Sequence, residues 1–533
     1  MFQSEYLTDT VLRSMSDASQ ALPAAPLPPL RGSQLFLLTV AIALATVMEL
    51  LDMTIVNVSI PSISGSLGVS VSEGTWTVSS YMLASAVMQP LTGWLGKRFG
   101  EVRTFTTSIM LFVVFSALCG LAISMPMLVT CRLLQGLVSG PLLALGQALL
   151  LRNYPSDKRG LALGLWGMVI ITAPIFGPIL GGYITDNLSW PWLFYINVPV
   201  GILSWFLVSS LLSNRESTRT KLPIDLIGLI LLVVGVGSLQ YTLDNGNELD
   251  WFSSPAIIAS SVVALVSLTF LIPWELTDRH PVVDLHFFKR RNFLIGTLCV
   301  SFAYFAFMGA NIIFPIWLQT TAGFTATLAG VAVAPVGILS LFISPILGRN
   351  IHRVNLRWAL TFAFSVFVAT MYWTSHLNET ATLMQLASPR FWQGLGVSFF
   401  FLCLNQITLS AVAQDELASA TGLSTFMRTI SGSISTAVTI WLWNRRTDFH
   451  HAVLSEHIRN SSQAWANTQT NLQSVGISGN AALQYADQTI TAQAMTLSFN
   501  DLYHVFSIMF IFLIPWIWLA KPPFTVRGAP GRH

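Results

Sequence analysis

Arg132-Leu133-Leu134-Gln135-Gly136-Leu137 returns 258 positions later as Arg390-Phe391-Trp392-Gln393-Gly394-Leu395. Pro90-x-x-Gly93 with Arg98 returns as Pro345-x-x-Gly348 with Arg353, at an offset of 255. Gly164-Leu165 returns as Gly422-Leu423, again at 258. One short match can arise by chance. Three in the same order at nearly one offset mark a duplicated chain.

The matches sit within long apolar runs. Of 533 residues 53% are hydrophobic and only 10% carry a charge, with 34 Phe and 17 Trp. Soluble domains are about 25% charged, so this composition excludes a soluble enzyme. A hydrocarbon core of roughly 30 Å needs about 20 apolar residues per helix. Apolar runs lie at 35–60, 75–95, 104–124, 126–151, 161–184, 191–212, 225–243 and 255–275. A second series lies at 292–319, 326–347, 358–376, 385–412, 419–443 and 501–520. The expectation is an all-α polytopic membrane protein with fourteen transmembrane helices.

An even number of spans puts both termini on one side. The tails and alternate loops of that side hold 21 of the 27 Lys and Arg, against three in the opposite loops (Arg445, Arg446, Arg459). The positive-inside rule then places both termini in the cytoplasm. Residues 1–34 read as a disordered cytoplasmic tail, with no basic stretch leading directly into a short apolar one as in a cleaved signal. Residues 522–533 form the other tail. Cys119, Cys131, Cys299 and Cys403 all fall in apolar runs and read as core residues, not disulfides or metal ligands.

The repeat defines six-helix bundles at 35–212 and 292–521, joined by a 213–291 linker that adds two extra helices. Two repeated bundles around a midplane site are the architecture of major facilitator transporters, which alternate access by rocking one half against the other.

Three arginines and two acids remain inside the spans. A charged side chain at mid-helix costs about 2.5–3.5 kcal/mol on insertion scales, so such residues are functional by default. Glu49 and Asp52 are three apart and share a helical face. Asp52 lies about 12–14 Å from the outer end of its span and Arg132 about 9 Å from the same surface, close enough in depth to pair. Glu49, Asp52 and Arg132 are the proton-coupling candidates, with Glu49, the deeper acid, as proton carrier. Arg390 repeats Arg132, yet no acid in the ninth span (292–319) answers Glu49 or Asp52. Arg428 meets either an anionic substrate or a cluster of backbone carbonyls. Asn57, Gln135, Arg390 and Arg428 are further candidates for substrate binding or coupling. Trp166, Met168, Tyr304, Phe305 and Phe307 are candidates to line an adaptable apolar cavity.

The motifs match a known group. The chain resembles the fourteen-span drug:proton antiporters of the major facilitator superfamily, and among them the EmrB/FarB-type branch. Leu51-Asp52-Met53-Thr54 through Pro61 is similar to their first-span signature, and Arg132-x-x-Gln135-Gly136 to their fourth-span motif. Gly177-Pro178-Ile179-Leu180-Gly181-Gly182 is similar to the fifth-span antiporter motif, with Ala173 where a further Gly is usual. The resemblance implies a gating role for Gly177, Pro178, Gly181 and Gly182. The loop Gly93-Trp94-Leu95-Gly96-Lys97-Arg98-Phe99-Gly100-Glu101 departs from the pattern. Lys97 replaces the usual Asp and Glu101 a usual basic residue, so a cytoplasmic gate built on Gly93, Lys97, Arg98, Gly100 and Glu101 would carry inverted signs.

Residues 444–500 are expected as a long periplasmic loop with helix-compatible stretches near 446–458 and 480–498. The resemblance implies that such a pump works with a periplasmic membrane-fusion adaptor and an outer-membrane channel. The only Gly-Lys, Gly96-Lys97, is followed by Arg98, so there is no Walker A loop, and no HExxH or G-x-S-x-G is present. No cofactor, metal or nucleic-acid partner is expected. The expected function is proton-coupled export of hydrophobic toxic compounds from the inner membrane. Export of a fatty acid or another amphipathic metabolite, and a non-transporting sensor or scaffold, are the alternatives.

Overall fold

The computed structural model describes residues 30–524 except 70, 156–157, 218, 221–222, 224, 247–248, 279–280, 411, 414–415, 457–462 and 475–477. The expected 1–34 tail, but for its last five residues, lies outside the described residues, as does most of 522–533.

In lipid every backbone amide must be satisfied within its own segment, which leaves helices as the solution for such apolar runs. The first six are α1 (Gly32–Ile55), α2 (Val71–Phe99), α3 (Glu101–Gly120), α4 (Met125–Asn153), α5 (Arg159–Asn187) and α6 (Asn197–Leu212). Next come α7 (Leu226–Asn245) and α8 (Pro255–Thr277). The last six are α9 (Arg291–Thr320), α10 (Pro335–Asn350), α11 (Leu356–Thr374), α12 (Leu383–Thr408), α13 (Leu417–Glu456) and α14 (Asn480–Ile517). By length and composition, ten helices among the described residues can cross a membrane. Helices α2, α5, α12 and α13 are not among those ten.

Two apolar runs break into two helices. Trp192–Tyr195 precedes α6 and Ala326–Val333 precedes α10. Pro199 and Pro335 lie just beyond the breaks, and a proline ring clashes with the carbonyl four residues before it. The expected 444–500 loop is largely helix: α13 runs on to Glu456, α14 starts at Asn480, and a helix spans Gln463–Ser474. The extensions are tied by Trp443 Nε1 donating to the Met495 carbonyl (3.2 Å) and by Arg446 pairing with Asp501 (2.5 Å).

Helix α1 packs on α5 and α6, and α2 on α4; in the second half α11 packs on α12 and α14, and α9 on α13. Helices α7 and α8 pack on each other, and α7 also lies along both α2 and α13. The four cysteines are buried and unbridged.

The halves meet along α2–α13 and α5–α10. The contact is tightest at the face where α1 begins and α14 ends, hereafter the terminal face. A Cβ on Gly160 of α5 would lie 2.3 Å from the Gly348 carbonyl oxygen of α10, and one on Gly93 of α2 would lie 1.9 Å from Ser419 Oγ of α13. Only glycine fits at these two positions, so the halves are in close contact at the terminal face.

Candidate functional site

Arg132 and Asp52 are both fully buried, with Nη1 and Oδ2 2.5 Å apart. Arg132 also donates from Nε to the Thr77 carbonyl (2.9 Å) and from Nη1 to Gln135 Oε1 (2.9 Å). Its guanidinium lies over the Tyr81 ring, 4.3 Å from the centre. The second Asp52 oxygen accepts from Asn197 Nδ2 (2.7 Å), which also reaches Ser116 Oγ (3.0 Å). The Asp52 carboxylate of α1 is thus bound directly from α4 and α6, and through them linked to Thr77 of α2 and Ser116 of α3. A buried ion pair needs such additional hydrogen bonds to offset desolvation.

Glu49, one turn earlier on α1, is 6% exposed and its Oε2 has no hydrogen-bond partner. Its electrostatic neighbours are Asp52 and, across the interface, Arg428 of α13. Arg428 lies near the Tyr304 ring, 5.5 Å from its centre, and lines a cavity between the halves. That cavity holds about 40 Å³ and is walled by Gln147, Trp166 and Ile170 from one half and Phe401, Asn405 and Thr425 from the other. This is room for a few waters.

Arg390 repeats the Arg132 arrangement without the acid. It donates to Gln393 Oε1 (2.9 Å), to the Ala310 carbonyl (3.1 Å) and to the Tyr503 hydroxyl (2.5 Å), and lies 4.1 Å from the Phe314 ring centre.

The fifth-span motif lies within α5. A Cβ on Gly177 would meet Thr54 Oγ1 at 2.0 Å, and one on Gly181 the Ile55 carbonyl oxygen at 2.4 Å. These glycines set α5 against the end of α1, just beyond Asp52; Pro178 and Gly182 lie in the same helical stretch. Asn57 is exposed in the turn that follows α1, away from the Asp52 network.

At the terminal face Lys97 is exposed, Arg98 is half-buried, and Glu101 pairs with Arg152 of α4 (2.8 Å). Lys97 acts electrostatically on Glu416, just before α13, which pairs with Arg290 (2.7 Å). The close Arg290 guanidinium, helped by Lys97 and opposed by partial burial, holds the Glu416 carboxyl below the ordinary glutamate range. Gly100 has a φ of +97°, which suits glycine, and the Glu216 carboxylate fills the space a Cβ would occupy.

Sequence reasoning missed Asn197, Glu216, Arg290 and Glu416. Asn197 carries a signal, an amide inside an apolar run. Glu216 and Glu416 are acids on an otherwise basic side, a weaker signal.

Two helical bundles, an ion pair buried within one of them and a small chamber between define a membrane transport protein. The Major Facilitator Superfamily model matches residues 42–436. Multidrug export protein EmrB of Escherichia coli K12 is 46% identical over 504 residues, 94% of this chain and 98% of that protein. Fatty acid resistance protein FarB of Neisseria gonorrhoeae is 44% identical over 506 residues, 95% of this chain and 99% of that protein. The crystal structure of the human organic anion transporter MFSD10 superposes with a TM-score of 0.59 at 13% identity, covering 91% of this chain and 100% of that one, a likeness of fold alone. The chain belongs to the major facilitator superfamily, in its EmrB/FarB group of exporters. It is a multi-pass membrane transporter and not an enzyme.

Proposed function

We propose that this protein is a proton-coupled antiporter that exports hydrophobic toxic compounds by alternating access, with fourteen spans in the inner membrane and both termini in the cytoplasm. The observation that carries the reading is the fully buried Asp52–Arg132 pair. A buried carboxylate bound to one arginine, with a second acid one turn away on the same helix, is the kind of site that proton coupling needs. Glu49, at 6% exposure with an unpartnered oxygen, is the carrier, and Asp52 with Arg132 couples it to the helices around them. At about 150 mV one proton charge supplies ~3.5 kcal/mol, enough for a gradient of about 300-fold. The close contact at the terminal face corresponds to a state closed to the cytoplasm. The similarity to EmrB supports hydrophobic drugs as cargo. We assign the chain to the inner-membrane position of a three-part assembly, with the α13–α14 extensions meeting a periplasmic adaptor that leads to an outer-membrane channel.

A second reading, export of an amphipathic acid such as a fatty acid, draws on the similarity to FarB and on Arg428 in the cavity wall.

The test is reconstitution in proteoliposomes with a pH-sensitive dye. Addition of a hydrophobic cargo should release protons from wild type and not from Asp52→Asn. Release unchanged in Asp52→Asn, or absent in wild type with every drug, acid and neutral compound offered, defeats the reading.

A further inference from the structure

Helices α7 and α8 lie outside the repeat, and the segments that join them to the two halves grip opposite sides of one contact. The first segment, 213–225, holds the turn between α2 and α3. Glu216 accepts the backbone N–H groups of Val102 (3.0 Å) and Arg103 (2.9 Å), capping α3 from 113 residues away. Ser217 Oγ accepts from the Glu101 N–H (3.0 Å), and the Thr220 N–H donates to the Lys97 carbonyl (2.9 Å). Trp94 Nε1 donates to the Pro223 carbonyl (3.1 Å).

The turn so gripped ends the helix whose Gly93 presses on Ser419 of α13. The second segment ends at Arg290, which holds Glu416, the residue immediately before α13. Thus one segment is fastened to the first half and the other to the second, at either side of the Gly93–Ser419 contact. Between them α7 lies in the seam. Leu232 and Val236 pack with Val87 and Leu91 of α2 and with Leu423 and Phe426 of α13. Asp225, the cap of α7, accepts from Trp274 Nε1 of α8 (2.9 Å) and ties the pair together at this end.

We propose that the inserted helix pair is a strap across the gate at the terminal face, with Glu216 and Arg290 as its positioning residues. The two fastenings differ in kind. Glu216 binds backbone donors at a helix N-terminus, where a carboxylate is doubly favoured. Arg290–Glu416 is an ion pair with about a third of each side chain exposed, a type that contributes little. Opening of the gate therefore releases Arg290 from Glu416 while Glu216 stays seated. The insertion swings with the first half. Glu216 is the fixed anchor and Arg290 the catch.

The strap rests on the alternating-access reading, and one experiment separates the two. The full-length chain in lipid nanodiscs carries spin labels at exposed Thr107 of α3 and Trp358 of α11, and the distance distribution gives the fraction open at the terminal face. Arg290→Glu should raise that fraction about three- to five-fold, and Glu416→Arg should do the same. The double variant should return it to the wild-type value, a rescue that simple damage to folding does not give. Glu216→Ala should open the gate, and Glu216→Asp should restore most of the closure. Unchanged distributions in the single variants, or a double variant as open as either single, overturn the strap. Proton release by the same samples in proteoliposomes is scored separately. Shifted distributions without wild-type proton release sink the antiport reading and leave the strap; proton release without shifted distributions does the reverse.

Discussion

Ala310 lies 258 positions after Asp52, the offset of the repeat, and its backbone carbonyl takes from Arg390 (3.1 Å) the contact that the Asp52 carboxylate takes from Arg132 (2.5 Å). One arginine faces a carboxylate. The other faces a backbone dipole. The second half thus keeps the scaffold of the site without its titratable partner.

The two arginines should then respond differently to removal. Arg132→Ala leaves Asp52 buried and uncompensated and should cost about 3–5 kcal/mol of stability, with Arg132→Ala/Asp52→Ala costing clearly less. Arg390→Ala strands only neutral acceptors and should cost about 1–3 kcal/mol. Denaturant unfolding in detergent measures all three, and a double variant as unstable as Arg132→Ala contradicts the pairing.

Proton exchange should depend on both acids of α1. Glu49→Gln should abolish cargo-driven proton release while cargo binding persists. The Asp52→Asn protein should lose release as well, with the helix content of wild type by circular dichroism. Intact release in Glu49→Gln removes Glu49 as the carrier.

A wedge at the terminal face should hold the gate open. Gly348 and Gly160 touch backbone to backbone, and a Cβ on Gly348 would sit 2.4 Å from the Gly160 carbonyl oxygen. Gly348→Val should lower export at least about ten-fold, since close-packed interfaces do not absorb such overlap without shifting. It should also make a cysteine placed at buried Ser344 react with a membrane-impermeant thiol reagent from the terminal side. No gain in reactivity would falsify the closed state.

Acid should loosen the same face. The Glu416 carboxyl is held below its ordinary range by Arg290. Its contribution to closure is therefore complete above the ordinary glutamate value of about 4.3 and is lost as pH falls through the lowered one. Arg290→Gln removes the pair and should leave closure weakened at every pH, with no such acid step. Spin-label distances recorded from pH 7 down to pH 3 report the step and its absence in the variant.

Deleting 450–495 should spare membrane insertion, because Arg446 and Asp501 remain to hold α13 against α14. Capture of a periplasmic adaptor should be lost. Unchanged capture moves the docking surface elsewhere.

Much of the fold could be read before any coordinates. The apolar runs place the helices because lipid forces each segment to satisfy its own backbone. The glycine motif of the fifth span points to a close-packed region, and α5 does rest on α1 through Gly177 and Gly181. Other features were hidden for a physical reason. Glu216 caps a helix 113 residues away, and Arg428 faces Glu49 across an interface. Neither has a local pattern, since each is created by packing between segments remote in sequence. The helix-compatible stretch near 480–498 is continuous with α14, because hydropathy marks the membrane boundary there and not the end of the helix.

Helix α14 continues for about 30 Å from Asp501 to Asn480 at a 1.5 Å rise per residue, with no break in the hydrogen-bond ladder. It is a lever arm. A tilt of the second half by about 10°, within the range of rigid-body domain rotations, would carry its tip sideways by roughly 5 Å. Under the proposed rocking of the halves, any protein seated on that tip would receive each turn of the cycle as a displacement.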